Sequence, residues 1–254
     1  MTVILELKEV YKSFGGVHAV EDMSFKIETG QLVGLIGPNG AGKTTIFNLI
    51  TGVYDVTRGD IEFQGNSINK LKTYQAISLG IARTFQNLRL FDSSTVLENV
   101  MTAAQQPHNY SFIEAISHLG RWHKTEKIIQ KESMELLERV GLADRADQKA
   151  GTLPYGLQRR LEIARACSLR PELLLLDEPA AGMNSEEVDQ LNVLIRDIHK
   201  DFNLTIFLIE HHMDMVMKIC PHIICMNFGA KIAEGSPDYI QAHPEVLKAY
   251  LGEE

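Results

Sequence analysis

The sequence predicts an α/β protein with a mostly parallel sheet, an N-terminal antiparallel β subdomain and an inserted α-helical subdomain. Three observations carry that expectation. Leu32 to Ile36 is an apolar strand that runs into a glycine-rich stretch, Gly37 to Gly42, and then into an apolar helix start at Thr45 to Ile50. Leu173 to Leu176 and Leu204 to Ile209 are near-continuous apolar runs, the pattern of strands covered on both faces as in a parallel sheet. Between about Gln86 and Arg165 strand signals give way to helical periodicity.

The elements follow in order. Alternating runs at Val3 to Leu7 and Met23 to Ile27, separated by turn signals at Gly15-Gly16 and Thr29-Gly30, read as strands. Thr57-Arg58-Gly59-Asp60 reads as a turn before a short strand, Ile61-Glu62-Phe63. In the insertion, Ile129, Leu136, Leu137 and Val140 share one helical face that ends at Gly141. Gln105 to Lys124 is polar, with His108, His118 and His123 near the single tryptophan, Trp122, and is expected to be solvated helix or loop. From Pro171 onward strands and helices alternate again. The division is therefore an α/β core of 1–85 and 166–254 with a helical subdomain of 86–165 inserted into one domain.

Composition narrows the class. The chain has 254 residues, 44% of them hydrophobic, enough for one large α/β domain or two smaller ones. Its net charge of -8 argues against a nucleic-acid partner, whose binding domains are usually basic. No apolar run approaches the roughly 18 to 20 residues that span a bilayer. The start, Met1 to Glu6, lacks a basic segment followed by an apolar one, so a cytoplasmic location is expected. Three cysteines are too few for a disulfide framework. Cys220 and Cys225 flank His222 in strand-like surroundings at a spacing that fits no standard zinc pattern, so core packing is expected.

Gly37-Pro38-Asn39-Gly40-Ala41-Gly42-Lys43-Thr44 meets the spacing G-x-x-x-x-G-K-[ST] of a phosphate-binding loop, between a strand and a helix as the pattern requires. It predicts a P-loop NTPase core and a nucleoside triphosphate. Glycines let successive backbone N–H groups turn toward phosphate oxygens, and the helix adds the positive end of its dipole. Lys43 would reach the β/γ-phosphates and Thr44 would hold Mg2+. The later strands end in Asp177-Glu178 and Glu210-His211. Ligands of an open parallel sheet bind beyond the carboxyl ends of its strands, so these pairs and the loop are expected in one crevice. Asp177 suits the carboxylate that orients Mg2+ through water, Glu178 a general base or positioner of water, and His211 a contact to the γ-phosphate and that water.

With these residues in place, the chain resembles the nucleotide-binding subunits of ABC transporters over essentially its whole length. The resemblance implies an adenine-stacking role for Phe14, with Tyr11 close by as the alternative. It makes Gly37 to Thr45, including Thr45 itself, the Walker A loop. Gln86 becomes the Q-loop glutamine, a catalytic and Mg2+-contacting residue. Leu153-Pro154-Tyr155-Gly156-Leu157 stands at the signature position, with Gly156 approaching phosphate. Leu173 to Glu178 is Walker B, Ala181-Gly182-Met183-Asn184 the D-loop and His211 the switch histidine. The expected cofactors are ATP and Mg2+.

Within that family the chain is most similar to subunits that energise branched-chain amino-acid importers. The cues are Arg83-Thr84-Phe85-Gln86, Leu88-Arg89-Leu90-Phe91, the polar insertion, Leu161 to Arg165, Glu178 to Asn184 and the ending Ala249-Tyr250-Leu251-Gly252-Glu253-Glu254. Urea and short-chain amide importers and lipopolysaccharide exporters share much of this. The implied partners are a second ATPase subunit, the same chain or a related one, integral membrane permease subunits and, indirectly, a substrate-binding protein, with the chain peripheral on the inner face of the plasma membrane. Pro154 departs from the pattern, because the family has a serine there whose hydroxyl reaches phosphate, and Leu157 replaces a glutamine. A non-transport ABC ATPase of translation or DNA repair would instead predict tandem cassettes or a long coiled coil. A P-loop GTPase would need N-K-x-D, and Asn69-Lys70-Leu71-Lys72 lacks the carboxylate.

Overall fold

The computed structural model describes residues 2–106 and 121–251. His108, His118 and the side chains of Trp122 and His123, on which most of the expectation for 105–124 rests, lie outside the described residues. The chain forms two compact units, Met1–Arg83 with Glu172–Glu254, and Thr84–Pro171. The first opens with strands β1 (Val3–Phe14), β2 (Val17–Glu28) and β3 (Leu32–Ile36), then helix α1 (Lys43–Ile50), β4 (Arg58–Phe63), β5 (Asn66–Ser67), α2 (Thr73–Ser78) and β6 (Ile81–Arg83). The second unit carries α3 (Val96–Ala104), α4 (Arg121–Arg139) and α5 (Tyr155–Cys167). The chain returns to the first with β7 (Leu173–Asp177), α6 (Ser185–Asp201), β8 (Thr205–Ile209), α7 (Met213–Ile219), β9 (His222–Asn227), β10 (Ala230–Gly235), α8 (Pro237–Ala242) and α9 (Pro244–Leu251). Because α5 runs on to Cys167, the second junction lies beyond the position 165 expected from the sequence.

Two sheets build the first unit. An antiparallel sheet has the order β2-β1-β4-β5, and a six-stranded sheet has the order β10-β9-β3-β8-β7-β6. In the latter every pairing is parallel except β10 with β9. All residues of β3, β7 and β8 are buried, which explains why these strands read as apolar runs without alternation. Phe207 of β8 joins the layers: its ring lies 5.2 Å from Phe47 of α1 and 5.6 Å from Phe25 of β2. Cys220 ends α7 rather than lying in a strand, because the turn from α7 into β9 is completed there; Cys220 and Cys225 are both buried, and His222 pairs with Glu234 of β10 at 3.0 Å.

In the second unit α3 packs on α4 and α5. Its N-terminus is set by a capping box, in which Thr95 accepts the Glu98 N–H and the Glu98 carboxylate accepts the Thr95 N–H. Ile129, Leu136, Leu137 and Val140 are buried on α4 and just past it, and Gly141 stops the helix at φ 71°.

Candidate functional site

Strand β3 delivers the chain into the loop Gly37 to Gly42, and α1 starts at Lys43. Only glycine fits two of these positions. Gly37 sits at φ 154°, where a Cβ would lie 2.1 Å from the Met226 carbonyl oxygen; at Gly42, φ 101°, it would lie 2.3 Å from that of Ala19. The bend therefore brings the loop backbone tight against β9 and β2. Lys43 is 5% exposed, and its Nζ donates to the carbonyls of Gly37 at 2.7 Å and Pro38 at 2.8 Å. Burial holds its pKa below the ordinary lysine value, against the opposing pull of Glu178, Cys225 and Asp177. Asn39, Gly40 and Thr44 are exposed, and Pro38 and Thr45 are half-buried.

The adjacent strands β8 and β7 end beside this loop. Glu178 follows β7 with φ 48°, a left-handed backbone that costs a non-glycine residue free energy, and its N–H donates to Ile209 of β8 at 2.9 Å. This bend turns its carboxylate onto the His211 ring, with Glu178 Oε1 paired to His211 Nε2. The Glu178 carboxylate is 10% exposed and the His211 ring 38%. Between them works a residue whose role sequence reasoning missed. Glu210, 1% exposed, accepts the Ala180 N–H on Oε1 at 2.7 Å and the His211 N–H on Oε2 at 3.0 Å, and Oε2 also meets His212 Nδ1 at 3.1 Å. A carboxylate at the end of a buried, largely apolar strand was the available signal.

Arg83 is the second omission. The parallel register of β6 with β7 sets it next to Leu175, and its Nη2 donates to Asp177 Oδ2 at 2.6 Å. Its Nη1 donates to Asn48 of α1 at 2.8 Å and to Thr51 at 3.3 Å, and the guanidinium stands 5.5 Å from the Phe47 ring. Asp177 is thereby tied to the helix that carries Thr44. Phe14 closes β1 with 42% of its surface exposed, edge-to-face with Tyr54 at 4.9 Å and with the Lys12 ammonium 4.8 Å from its ring. Tyr11 is taken up by Arg58, whose guanidinium lies 5.3 Å from its ring. Phe14, supported by Tyr54, stays the more exposed of the two aromatics.

In the second unit Gln86 is exposed while its backbone is pinned. The wholly buried Arg159 donates to the carbonyls of Phe85 at 2.8 Å and Gln86 at 2.9 Å, and pairs with Glu162 at 2.6 Å. Glu162 in turn accepts the Phe85 N–H at 3.3 Å, and burial pushes its carboxyl pKa up against the pull of Arg159. Pro154, at φ -52° and ψ 149°, sits just outside α5 and its carbonyl accepts the N–H groups of Leu157 and Gln158, both at 3.0 Å. The helix starts normally without a side-chain cap, as a proline there allows. Gly156 is buried in its first turn.

The family described as ABC transporter matches residues 20–181, and one described as branched-chain amino acid ATP-binding cassette transporter matches residues 230–254. The chain is 44% identical over 250 residues to the high-affinity branched-chain amino acid transport ATP-binding protein BraF of Pseudomonas aeruginosa, covering 98% of each chain. It is 40% identical over 250 residues to the corresponding protein LivG of Escherichia coli, again covering 98% of each. Among solved structures it is similar to the ADP conformation of MJ1267, an ATP-binding cassette of an ABC transporter, with a TM-score of 0.86, 29% identity and all of both chains covered.

Proposed function

The chain belongs to the ABC transporter family, as an ATP-binding subunit that hydrolyses ATP to power transport, and from that membership we propose that it energises the import of branched-chain amino acids. The observation that carries the solute class is the likeness to BraF and LivG along 98% of the chain, joined by the C-terminal match over residues 230–254. Among the described residues no helix is long and apolar enough to cross a membrane, and the family reading gives the path for the solute to separate permease subunits. A second ATPase chain and, indirectly, a substrate-binding protein complete the proposed assembly, with this chain peripheral on the inner face of the membrane.

The chemistry assigned to each residue follows from its position. The loop Gly37 to Thr45 cradles the triphosphate with backbone N–H groups, and Lys43 exchanges its two carbonyl partners for β/γ-phosphate oxygens. The exposed Phe14 ring stacks on adenine. The Thr44 hydroxyl and the Asp177 carboxylate are oxygen donors that suit a hard cation, and the family resemblance adds the Gln86 side chain to them. They would hold Mg2+, which when bound neutralises phosphate charge. Glu178 accepts a proton from, or orients, the attacking water, and His211 keeps that carboxylate aimed while reaching toward the γ-phosphate. Gly156 brings backbone close to the phosphate of the opposite subunit.

Reconstitution in vesicles tests the solute. The chain, co-expressed with its permease subunits, should show ATPase activity stimulated by a binding protein loaded with leucine, isoleucine or valine. Stimulation by urea or a short-chain amide alone would replace the proposed solute.

A further inference from the structure

Arg83 stands between two elements that each carry an oxygen donor. It closes the three-residue strand β6, whose parallel register sets it opposite Leu175, so Asp177 lies two residues further along β7 on the same face. One arm of the guanidinium, Nη2, donates to Asp177 Oδ2 at 2.6 Å, and the two side chains are only 8% and 4% exposed. The other arm, Nη1, donates to Asn48 Oδ1 at 2.8 Å and to Thr51 Oγ1 at 3.3 Å. Asn48 follows Thr44 by four residues on α1, one helical turn along the same face. A single rigid fork thus spans from the end of β7 to the helix that carries Thr44.

Stability alone does not account for this arrangement. A buried ion pair loses in desolvation much of what it gains in attraction, and apolar residues of similar volume often serve a core as well. The guanidinium lies 5.5 Å from the Phe47 ring, and Ile81 and Ala82 before it are buried, so an apolar side chain would suit these surroundings. Such a side chain would fix neither the carboxylate nor the helix. We propose that Arg83 is a positioning residue for the Mg2+ donors, a spacer that sets the Asp177 carboxylate at a fixed distance from Thr44; this role rests on the Mg2+-ATP reading of the site. The planar guanidinium presents its donors in a fixed geometry, and the carboxylate cannot swing without breaking a buried charge-assisted hydrogen bond. Mg2+ demands near-ideal octahedral geometry, so donors held in register bind it better than donors that drift. Arg83 therefore acts on the cation and not on the hold of the phosphate loop.

Arg83→Lys in the full chain keeps the charge but replaces the fork with a point charge that does not hold Asp177 and Asn48 together. Asn48→Ala keeps the ion pair and removes the shorter of the two ties to α1, and it carries the test alone where Arg83→Lys does not fold. Calorimetric ATP binding with Mg2+ and with EDTA separates the effects. In both variants the Mg2+-dependent gain in ATP affinity should fall, by about ten-fold in Arg83→Lys, the scale for losing a group that orients metal ligands, and the Mg2+ concentration for half-maximal turnover should rise in step. ATP affinity in EDTA should stay at the parent value. Parent-like Mg2+ dependence in either folded variant would overturn the spacer, and so would an equal loss of ATP affinity with and without Mg2+, the mark of a merely structural defect. A parent chain whose ATP affinity ignores Mg2+ would sink the Mg2+ reading itself, whereas a Mg2+-responsive parent beside equally responsive variants sinks the role of Arg83 alone.

Discussion

The Glu210 carboxylate accepts the Ala180 backbone N–H at 2.7 Å, fastening the turn after β7 to the turn after β8. Its other oxygen holds the His211 N–H, so the two turns that present Glu178 and His211 are spaced by one buried side chain. Glu210→Ala should therefore loosen both presenting turns and lower kcat by about 10-fold or more, with ATP affinity little changed, because the phosphate loop is not among its partners. Removing a buried acceptor also leaves its donors unsatisfied, so the melting temperature should fall. Steady-state kinetics with calorimetric ATP binding would check this, and a variant that loses ATP affinity while keeping kcat would refute the positioning role.

Glu178→Gln tests the base itself. The amide preserves the size of the side chain but cannot accept a proton, so turnover should drop by about 100-fold or more while ATP still binds. With hydrolysis stalled, ATP should hold two chains together in a dimer visible by size exclusion. Parent-like hydrolysis by this variant would remove Glu178 from the role.

Lys43 carries two opposed effects. Its charge is needed by the phosphates, so Lys43→Ala should abolish tight ATP binding by calorimetry. Its charge is also costly when buried, for the folded pKa is lowered from 10.5. Between that lowered value and 10.5 the unfolded chain binds more protons than the folded one, so stability of the nucleotide-free protein rises with pH through this interval. Lys43→Met removes the titration. The stability difference between parent and Lys43→Met should shift in the parent's favour as pH rises through that interval, measured by chemical denaturation; a pH-independent difference would contradict it.

Much of this arrangement was legible because it is local. The strand, the glycine loop and the helix start are one continuous segment, and Asp177, Glu178 and His211 announce themselves as polar residues where apolar strands stop. What stayed hidden depends on partners far along the chain. Arg83 meets Asp177 across 94 positions, and Arg159 meets the Gln86 carbonyl across 73. In sequence each is one arginine among several, and only the register of β6 with β7 or the burial of α5 selects it. Glu210 was visible as a strand-end carboxylate, but its donors are backbone N–H groups, which no side-chain pattern records.

The signature position gives the sharpest test. Pro154 has neither hydroxyl nor backbone N–H to offer a phosphate, and Leu157 has no side-chain amide, yet α5 begins with the Leu157 and Gln158 N–H groups bonded to the Pro154 carbonyl. The helix start is thus intact while two polar side chains are missing from it. In a dimer of identical chains both ATP sites would face this weakened signature, and activity should be low. In a dimer with a related chain only one site would. Pro154→Ser with Leu157→Gln should raise homodimer turnover by about 10-fold or more, the return expected from about 1.5 to 3 kcal/mol for hydrogen bonds to a charged group. Serine is also a good N-cap, so a rise in melting temperature without nucleotide would accompany a mere capping effect. Turnover that rises only with ATP-dependent dimer formation identifies phosphate contact, and unchanged kcat and KM would leave Gly156 and the backbone of the helix start as the working part of the signature.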